Sequence, residues 1–211
     1  MIELYSTPTA NGQKCHIMLE ETGLPYRAEA VDLVAGEHRS ARLLAINPLG
    51  KLPAMIDPDG PGGAPLALGE SGAIVLYLMR KTGQFGPSGP REQATFDFWC
   101  YAVNSSLAAA LAAHFWHARL APEPIEWAID AFAAAAGRSL SAFDAHLART
   151  PYLVGERFTA ADALLYPHLA VSAGRLPGAL SPYPALQAYV ARVGARPGVQ
   201  RGMAVLQPQN A

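Results

Sequence analysis

The stretch LPAMIDPDGPGGAPLALGESGAIVLYLMRKTG, residues 52–83, determines the fold expected for the first half of the chain. Two short apolar runs, LPAMID and PLALG, flank a turn that contains GPGG. Such runs joined by a glycine-rich turn predict an antiparallel β-hairpin. From Glu70 onward apolar side chains recur at helical spacing until Gly83, so we expect an amphipathic helix directly after the hairpin.

The residues before this stretch alternate between strand and helix patterns. IELYS (2–6) predicts a strand, and a helix is expected from about Gly12 to Gly23. YRAEAVDL (26–33) predicts a second strand and SARLLAIN (40–47) a short helix. The resulting order is β-α-β-α-β-β-α, with the first two strands parallel by the crossover rule. This is the layout of a thioredoxin-like domain, which we place at residues 1–83.

The second half of the chain has a different composition. Residues 84–90, QFGPSGP, contain two glycines and two prolines and are interpreted as a linker. No strand pattern occurs in residues 91–211, where alanine-rich segments repeat with the helical period. The pattern predicts an all-α domain with four main helices, at 91–119, 124–148, 160–174 and 184–194.

Composition restricts the class of protein. The chain has 211 residues, of which 51% are hydrophobic and 16% charged, so it has enough apolar residues for a core. Its net charge of −1 disfavours nucleic-acid binding. No apolar run approaches the roughly 20 residues that span a membrane, and no secretory signal pattern is present. The two cysteines, Cys15 and Cys100, form neither CxxC nor a zinc spacing, so we expect a cytoplasmic protein without a metal.

Three motifs occur in a fixed order: NPLGKLPAMID (47–57), ESGAIVLYL (70–78) and FTAAD (158–162). With the thioredoxin-like half followed by a helical half, the chain resembles a cytosolic glutathione S-transferase. TPTANGQK (7–14) and GEHR (36–39) are similar to the bacterial nu class and its fungal relatives. The resemblance implies an enzyme that uses glutathione as co-substrate, and a homodimer whose glutathione site lies between the two domains.

Ser71 and Glu70 are candidate ligands for the γ-glutamyl end of glutathione. Ser71 begins a helix, whose unpaired N–H groups attract a carboxylate, and Glu70 beside it would attract an ammonium group. The alternative is an ordinary N-cap serine followed by a solvated first turn. The resemblance favours the binding role.

The KLPAMID segment is expected to hold the rest of the tripeptide. By resemblance the Leu52–Pro53 peptide bond is cis and presents the Leu52 backbone to the cysteinyl part of glutathione like an added strand. A trans proline at a sheet edge is the alternative. Lys51 and His38 are candidates for contacts with glutathione carboxylates, or else solvated side chains.

The polar tip after the first strand is the predicted catalytic site. By resemblance, Thr9 and Asn11 hydrogen-bond the glutathione sulfur, so the nucleophile is the bound thiol rather than a protein group. Asn11 could instead cap the helix by accepting from Gln13 or Lys14, and both roles can coexist. Cys15 is expected to be a small buried hydrophobe, and Ser6 is a weaker candidate nucleophile.

The resemblance to the nu class favours glutathione-dependent disulfide reduction. Conjugation of glutathione to a small electrophile is the alternative reaction. A non-catalytic glutathione-binding or interaction protein is the alternative class, because a fold does not determine a function.

Several residues of the helical half are assigned other roles. The aromatic runs FDFWCY (96–101) and HFWH (114–117) predict core positions, and we expect no metal at the two histidines of HFWH. The resemblance adds three candidates for the second-substrate pocket, namely Tyr101, Phe115 and Trp116.

Thr159 and Asp162 are interpreted as a structural capping box. Some nu-like proteins reach glutathione across the dimer with an arginine in the second bundle helix. That position falls near Ala131 here, and the nearest downstream arginine is Arg138.

Overall fold

A computed structural model describes residues 1–175 and 179–207. Residues 208–211, the end of the predicted all-α domain, lie outside the described part. The chain divides into two compact units, the first made of Met1–Gly86 with the described residues from Val193 onward, and the second of Pro87–Arg192.

The first unit contains a four-stranded mixed sheet with the strand order β2-β1-β3-β4. β1 pairs in parallel with β2, with Leu4 opposite Ala28, and antiparallel with β3, with Leu4 opposite Met55. β3 and β4 form the predicted hairpin. The strands are β1 (Ile2–Ser6), β2 (Tyr26–Ala30), β3 (Ala54–Asp57) and β4 (Leu66–Gly69). The predicted thioredoxin-like fold is confirmed.

Three helices complete the βαβαββα order: α1 (Ala10–Thr22), α2 (Ala41–Ile46) and α3 (Ser71–Thr82). α1 and α3 end at Gly23 and Gly83, both of which have a φ of 68°. Because this left-handed conformation is strained for most residues, glycine terminates both helices at the predicted positions. α1 packs on α3 through fully buried apolar side chains, which include Cys15, Met18, Leu19, Ile74, Val75 and Leu78.

A helix that the sequence did not predict, α9 (Pro197–Ala204), packs on α1. Arg196, just before it, pairs with Glu21 at 2.6 Å, and Arg201 pairs with Glu20 at 2.6 Å. At Gly202 a Cβ atom would lie 2.5 Å from the Cα atom of Ile17. The absence of a side chain therefore allows α9 to approach the backbone of α1.

The second unit is helical within the described residues. The prediction of one regular α-helix over 91–119 is wrong. Two segments with π-type hydrogen bonds, 102–107 and 116–120, interrupt the α-helical pattern. The α-helices are α4 (Pro90–Tyr101), α5 (Ala108–Phe115), α6 (Glu126–Leu147), α7 (Ala160–Arg175) and α8 (Pro184–Gly194).

Side chains within the first π segment account for its wider turn. Asn104 Nδ2 donates to the carbonyl oxygen of Cys100 at 2.9 Å, and Ser105 Oγ donates to that of Tyr101 at 2.8 Å. These bonds compete for the carbonyl groups that the next turn of an α-helix uses. The following amide, that of Ala108, accordingly donates to Val103, five residues back.

Asp162 is fully buried and accepts four hydrogen bonds. The backbone N–H and the hydroxyl of Thr159 donate to it at 2.8 and 3.0 Å. The backbone N–H of Leu153 donates at 3.0 Å and the Tyr189 hydroxyl at 3.1 Å. The carboxylate thus joins the start of α7 to the preceding loop and to α8, which extends the capping role proposed from the sequence.

We expect Gly202→Ala to destabilise the first unit by about 2 kcal/mol, because the new methyl group would meet backbone atoms of α1 that have little freedom to move. The matched control is Gly137→Ala in α6, where a Cβ would meet nothing nearer than the Tyr183 hydroxyl at 3.7 Å. Since alanine favours a helix interior, the control should gain up to about 1 kcal/mol. Urea unfolding of both variants checks the prediction, and equal stabilities would contradict it.

Candidate active site

The tip after β1 positions Thr9 and Asn11 in the first turn of α1. The helix begins at Ala10, earlier than predicted, and Thr9 is its N-cap residue. Thr9 Oγ1 accepts from the N–H of Gly12 at 3.5 Å, which leaves the hydroxyl proton free to donate elsewhere. The alternative that Asn11 caps the helix is wrong, because Asn11 already lies inside it with its side chain exposed.

Glycine at position 12 is required by the close approach of the tip. A Cβ atom there would lie 2.2 Å from the carbonyl oxygen of Thr7. The backbone of the tip is therefore held directly against the first turn of α1. Thr9 rather than Asn11 is the N-cap, although both residue types are good caps, because the carbonyl of Thr9 accepts from the N–H of Gln13 at 2.9 Å.

Lys14, which has no role predicted from the sequence, lies beneath the tip and is 1% exposed. Its Nζ donates to Asn11 Oδ1 at 3.0 Å and lies 3.5 Å from Ser71 Oγ. Burial lowers the pKa of Lys14 to about 8, against the weaker opposing effects of Cys15 and of the Glu70 carboxylate. The spacing of Asn11 and Lys14, three residues apart on one helical face, is the signal that could have found this pair.

Ser71 and Glu70 lie at the start of α3. Ser71 is buried, and its Oγ lies 3.5 Å from Asn11 Oδ1, so the N-termini of α1 and α3 meet. The first intrahelical bond joins the N–H of Ile74 to the carbonyl of Glu70 at 2.9 Å, which leaves the three preceding N–H groups for a ligand. This arrangement is suited to bind a carboxylate.

Glu70 is exposed and has a φ of 62° and a ψ of 118°. A non-glycine residue in this region costs roughly 1–3 kcal/mol, and such residues concentrate at functional sites. Its side chain makes no capping hydrogen bond to α3. The geometry therefore leaves the carboxylate available to an ammonium group at the same helix end.

The loop 47–53 is held by the buried side chain of Asn47. Its Nδ2 donates to the carbonyl of Lys51 at 2.7 Å, and its Oδ1 accepts from the N–H of Leu49 at 3.2 Å. The Leu52–Pro53 peptide bond is cis, as expected. Within the described residues the backbone of Leu52 makes no hydrogen bond, so it can pair with an extended ligand. The Lys51 side chain is exposed.

His38 lies in a 3₁₀ turn, Glu37–Arg39, between β2 and α2. Its Nδ1 atom is buried and has no hydrogen-bond partner within the part of the chain that the structure describes. The ring is half-buried, so His38 is not the fully solvated histidine of the alternative prediction.

Neither cysteine is placed to act as a nucleophile. Cys15 and Cys100 are both buried, and neither forms a disulfide bond. Burial raises the pKa of the Cys15 thiol to about 12, against the weaker effect of Lys14, so this thiol stays protonated at neutral pH. The Tyr5 hydroxyl is bonded to Glu3 and, at 2.7 Å, to Arg42. These contacts agree with the expectation that the nucleophile is not a protein group.

Ser6 and His16 form a fully buried pair behind the tip, which was not predicted from the sequence. Ser6 Oγ and His16 Nε2 are 2.7 Å apart. His16 Nδ1 has no hydrogen-bond partner among the described residues. Burial lowers the pKa of His16 to about 4, against the weaker effect of Glu20. The histidine is therefore neutral at physiological pH, and the pair is inaccessible to a substrate.

The candidates for a second-substrate pocket are separated within the second unit. Tyr101 and Arg138 line a groove of about 470 Å³ between α4 and α6. Phe115 and Trp116 do not line it. The expectation that FDFWCY and HFWH are core is wrong for four aromatic residues: Phe98, Tyr101, Phe115 and Trp116 are 61%, 73%, 43% and 48% exposed.

The histidines of HFWH contact α6. His114 Nδ1 lies 3.2 Å from the carbonyl oxygen of Ile129, and the His117 ring stacks on Phe132 at 5.5 Å. No group of residues that could hold a metal ion occurs in residues 1–175 and 179–207. The described helices include none long and apolar enough to cross a membrane.

Comparison with known proteins identifies the family. Residues 10–81 match the family model for the glutathione S-transferase N-terminal domain, and residues 107–197 match that for the C-terminal domain. Disulfide-bond oxidoreductase YfcG of Escherichia coli (strain K12) is 38% identical over 213 residues, which cover 99% of this chain and 96% of the relative. The chain belongs to the glutathione S-transferase family, as its motifs predicted.

Two solved structures of similar proteins contain glutathione. A glutathione transferase family member from Pseudomonas fluorescens has two glutathione molecules bound. It is 34% identical to this chain with a TM-score of 0.87, and the match covers 96% of this chain and 92% of that one. A glutathione transferase from Pseudomonas putida has one glutathione disulfide bound per subunit; it is 30% identical with a TM-score of 0.91, over 98% and 92% of the two chains.

The free energy of unfolding should fall by about 3 kcal/mol as the pH is lowered from 6.5 to about 4, through His16 alone. In this interval the unfolded chain protonates His16 whereas the folded chain does not, so acid favours unfolding; below about 4 the effect ends. His16→Gln keeps a partner for Ser6 and should abolish this contribution.

The measurement is the difference in unfolding free energy between wild type and His16→Gln at several pH values. The difference is needed because burial raises the pKa of Asp162 to about 6, which gives the opposite slope in both proteins. A difference that does not vary with pH would show that His16 is protonated equally in both states.

Proposed function

We propose that the chain is a glutathione transferase that binds glutathione at the N-termini of α1 and α3, ionises its thiol and uses the thiolate to reduce disulfides. The observation that carries the proposal is the meeting of Asn11 and Ser71, whose side-chain oxygens lie 3.5 Å apart at two helix N-termini. The name of YfcG and the glutathione disulfide in the Pseudomonas putida structure support this reaction over others.

The proposed binding mode uses one feature of the site for each part of the tripeptide. The α-carboxylate of the γ-glutamyl group binds the N-terminus of α3 and Ser71, and its ammonium group pairs with Glu70. The cysteinyl backbone pairs with Leu52, which precedes the cis Pro53. Lys51 and His38 are assigned to the glycyl carboxylate.

The sulfur then lies at the start of α1, next to Thr9 and Asn11. A free thiol has a pKa near 8.5, so little of it is ionised at neutral pH. The Thr9 hydroxyl and Asn11 Nδ2 donate to the sulfur, and the N-terminus of α1 adds a partial positive charge. All three favour the thiolate over the thiol and make glutathione nucleophilic.

Reduction proceeds by two thiol–disulfide exchanges. The thiolate attacks one sulfur of the substrate disulfide, the S–S bond breaks, and a substrate thiolate leaves. A second glutathione thiolate attacks the mixed disulfide at the glutathione sulfur and releases glutathione disulfide and the other substrate thiolate. Two glutathione molecules thus supply the two electrons, and the leaving thiolates take protons from solvent.

Two alternatives use the same site. The bound thiolate could be conjugated to a small electrophile, which requires no second glutathione. The chain could also bind glutathione without catalysis. The three are separated by measuring turnover with 2-hydroxyethyl disulfide, turnover with an aromatic electrophile, and binding of glutathione by calorimetry.

Glutathione-dependent reduction of 2-hydroxyethyl disulfide should survive Cys15→Ala/Cys100→Ala and fall roughly 100-fold in Asn11→Ala, because a donor to a developing anion typically contributes that much. Asn11→Asp should lose as much or more, since a carboxylate would repel the thiolate. Thr9→Ser, which keeps both the cap and the hydroxyl, is the matched control for Thr9→Val.

Activity lost with the cysteines would assign the nucleophile to the protein and overturn the mechanism. Glutathione binding without turnover in the wild type would support the binding protein, and turnover only with the electrophile would support conjugation.

A cytoplasmic homodimer is part of the proposal. Reduction by glutathione requires a compartment with a reduced glutathione pool. The groove between α4 and α6 is lined by Phe98 and Tyr101, which are 61% and 73% exposed. An apolar patch of this kind is typical of a protein contact surface.

Phe98→Glu/Tyr101→Glu should therefore convert the dimer to a monomer in sedimentation experiments, because two carboxylates would have to be buried in the contact. The matched control is Asp97→Asn on α4, a change of one unit of charge beside the groove. A wild type that sediments as a monomer at micromolar concentration would contradict the dimer.

A further inference from the structure

Lys14 is a charged side chain inside the first unit that the reaction described above does not use. Its Nζ contacts Asn11 Oδ1 at 3.0 Å and Ser71 Oγ at 3.5 Å, the two side chains that mark the proposed sulfur and carboxylate sites. Both of these oxygen atoms belong to neutral groups, and the carboxylate of Glu70 also acts on the Lys14 charge.

Burying an ammonium group at this position is costly. A methionine would fill a similar volume without the loss of hydration. The low pKa of Lys14, about 8, reflects that cost, which arises mainly from burial. A buried ionisable group with a perturbed pKa beside a candidate site is a candidate for a functional role.

The ammonium group also determines how the Asn11 amide is oriented. An ammonium group only donates hydrogen bonds, so it requires the oxygen of the amide and excludes the nitrogen. The Ser71 hydroxyl, 3.5 Å from the same oxygen, acts in the same direction. Nδ2 then lies on the other branch of an exposed side chain, since both hydrogen bonds that the described residues make to this side chain are to Oδ1.

We propose that Lys14 is a positioning residue for the glutathione thiolate: it holds the Asn11 amide so that Nδ2 donates to the sulfur, and its buried charge favours the ionised form of that sulfur. The inference rests on the proposed function. Without the ammonium group only the Ser71 hydroxyl, at 3.5 Å, holds the amide oxygen, and an amide that turns its oxygen toward the sulfur would favour the neutral thiol.

The effect must be reciprocal. If Lys14 favours the thiolate, the thiolate favours the charged form of Lys14 by the same free energy. Binding of glutathione should therefore raise the pKa of Lys14. Because the carboxylates of glutathione also bind nearby, the sulfur must be tested separately from the rest of the ligand.

The first experiment titrates Lys14 in the wild-type protein by NMR of ¹³Cε-labelled lysine. The chain contains only three lysines, and Lys51→Arg and Lys81→Arg assign the signals of the other two. Glutathione is compared with S-methylglutathione, which has the same carboxylates but cannot form a thiolate. We expect the pKa of Lys14 to be about one unit higher with glutathione. Equal pKa values with the two ligands would overturn the proposal.

The second experiment measures the pKa of the bound glutathione thiol from its ultraviolet thiolate absorbance. Lys14→Met and Lys14→Gln should raise this pKa by about one unit and lower kcat/KM at neutral pH roughly tenfold. The control Lys81→Gln removes the same charge from the same unit of the chain and should leave the thiol pKa as in the wild type.

The two proposals fail in different ways. If the wild type lowers the thiol pKa and the Lys14 variants bind glutathione and lower it equally, the role of Lys14 is wrong and the proposed function stands. If the thiol titrates in the wild-type complex as in free glutathione, thiolate formation at this site is itself wrong. Because the first experiment uses the unaltered protein, it tests the role of Lys14 even if the Lys14 variants fail to fold.

Discussion

The contact between the first turns of α1 and α3 is the constraint on which the candidate site depends. Asn11, Lys14 and Ser71 make this contact within 3.5 Å of one another, although Ser71 is 57 residues beyond Lys14 in the chain. The sheet brings the two helices together, since β1 leads into α1 and β4 leads into α3. Two helix N-termini with their unpaired N–H groups thus lie side by side, and a ligand with two separated anionic groups is suited to them.

The sequence predicted well the features that depend on residues close together in the chain. The hairpin follows from its glycine-rich turn, and the ends of α1 and α3 follow from Gly23 and Gly83. α9 escaped prediction because Pro197 and Gly202 are usually signs of a break in a helix. Here the proline begins the helix and the glycine permits contact with the backbone of Ile17, so tertiary packing decides the outcome.

The sequence supplied candidate residues for the site but did not predict their arrangement in space. Thr9 and Asn11 are both good caps, and the folded chain uses Thr9, whose carbonyl accepts from the N–H of Gln13. The burial of Lys14 had no local sign except its spacing from Asn11. The groups that the sequence missed, Lys14 and the Ser6–His16 pair, are polar side chains whose burial depends on how α1 packs against the rest of the first unit.

Three features of the candidate site lower the stability of the first unit. A buried ammonium group, a non-glycine residue at positive φ and a buried neutral histidine each lower stability, and all three occur within α1 or at the start of α3. The apolar contacts of α1 with α3 and α9 offset them. The middle of α1, from Gly12 to Leu19, is buried and holds the polar tip in place at the start of the helix. Cys15 belongs to this buried part and contributes to packing rather than to the chemistry.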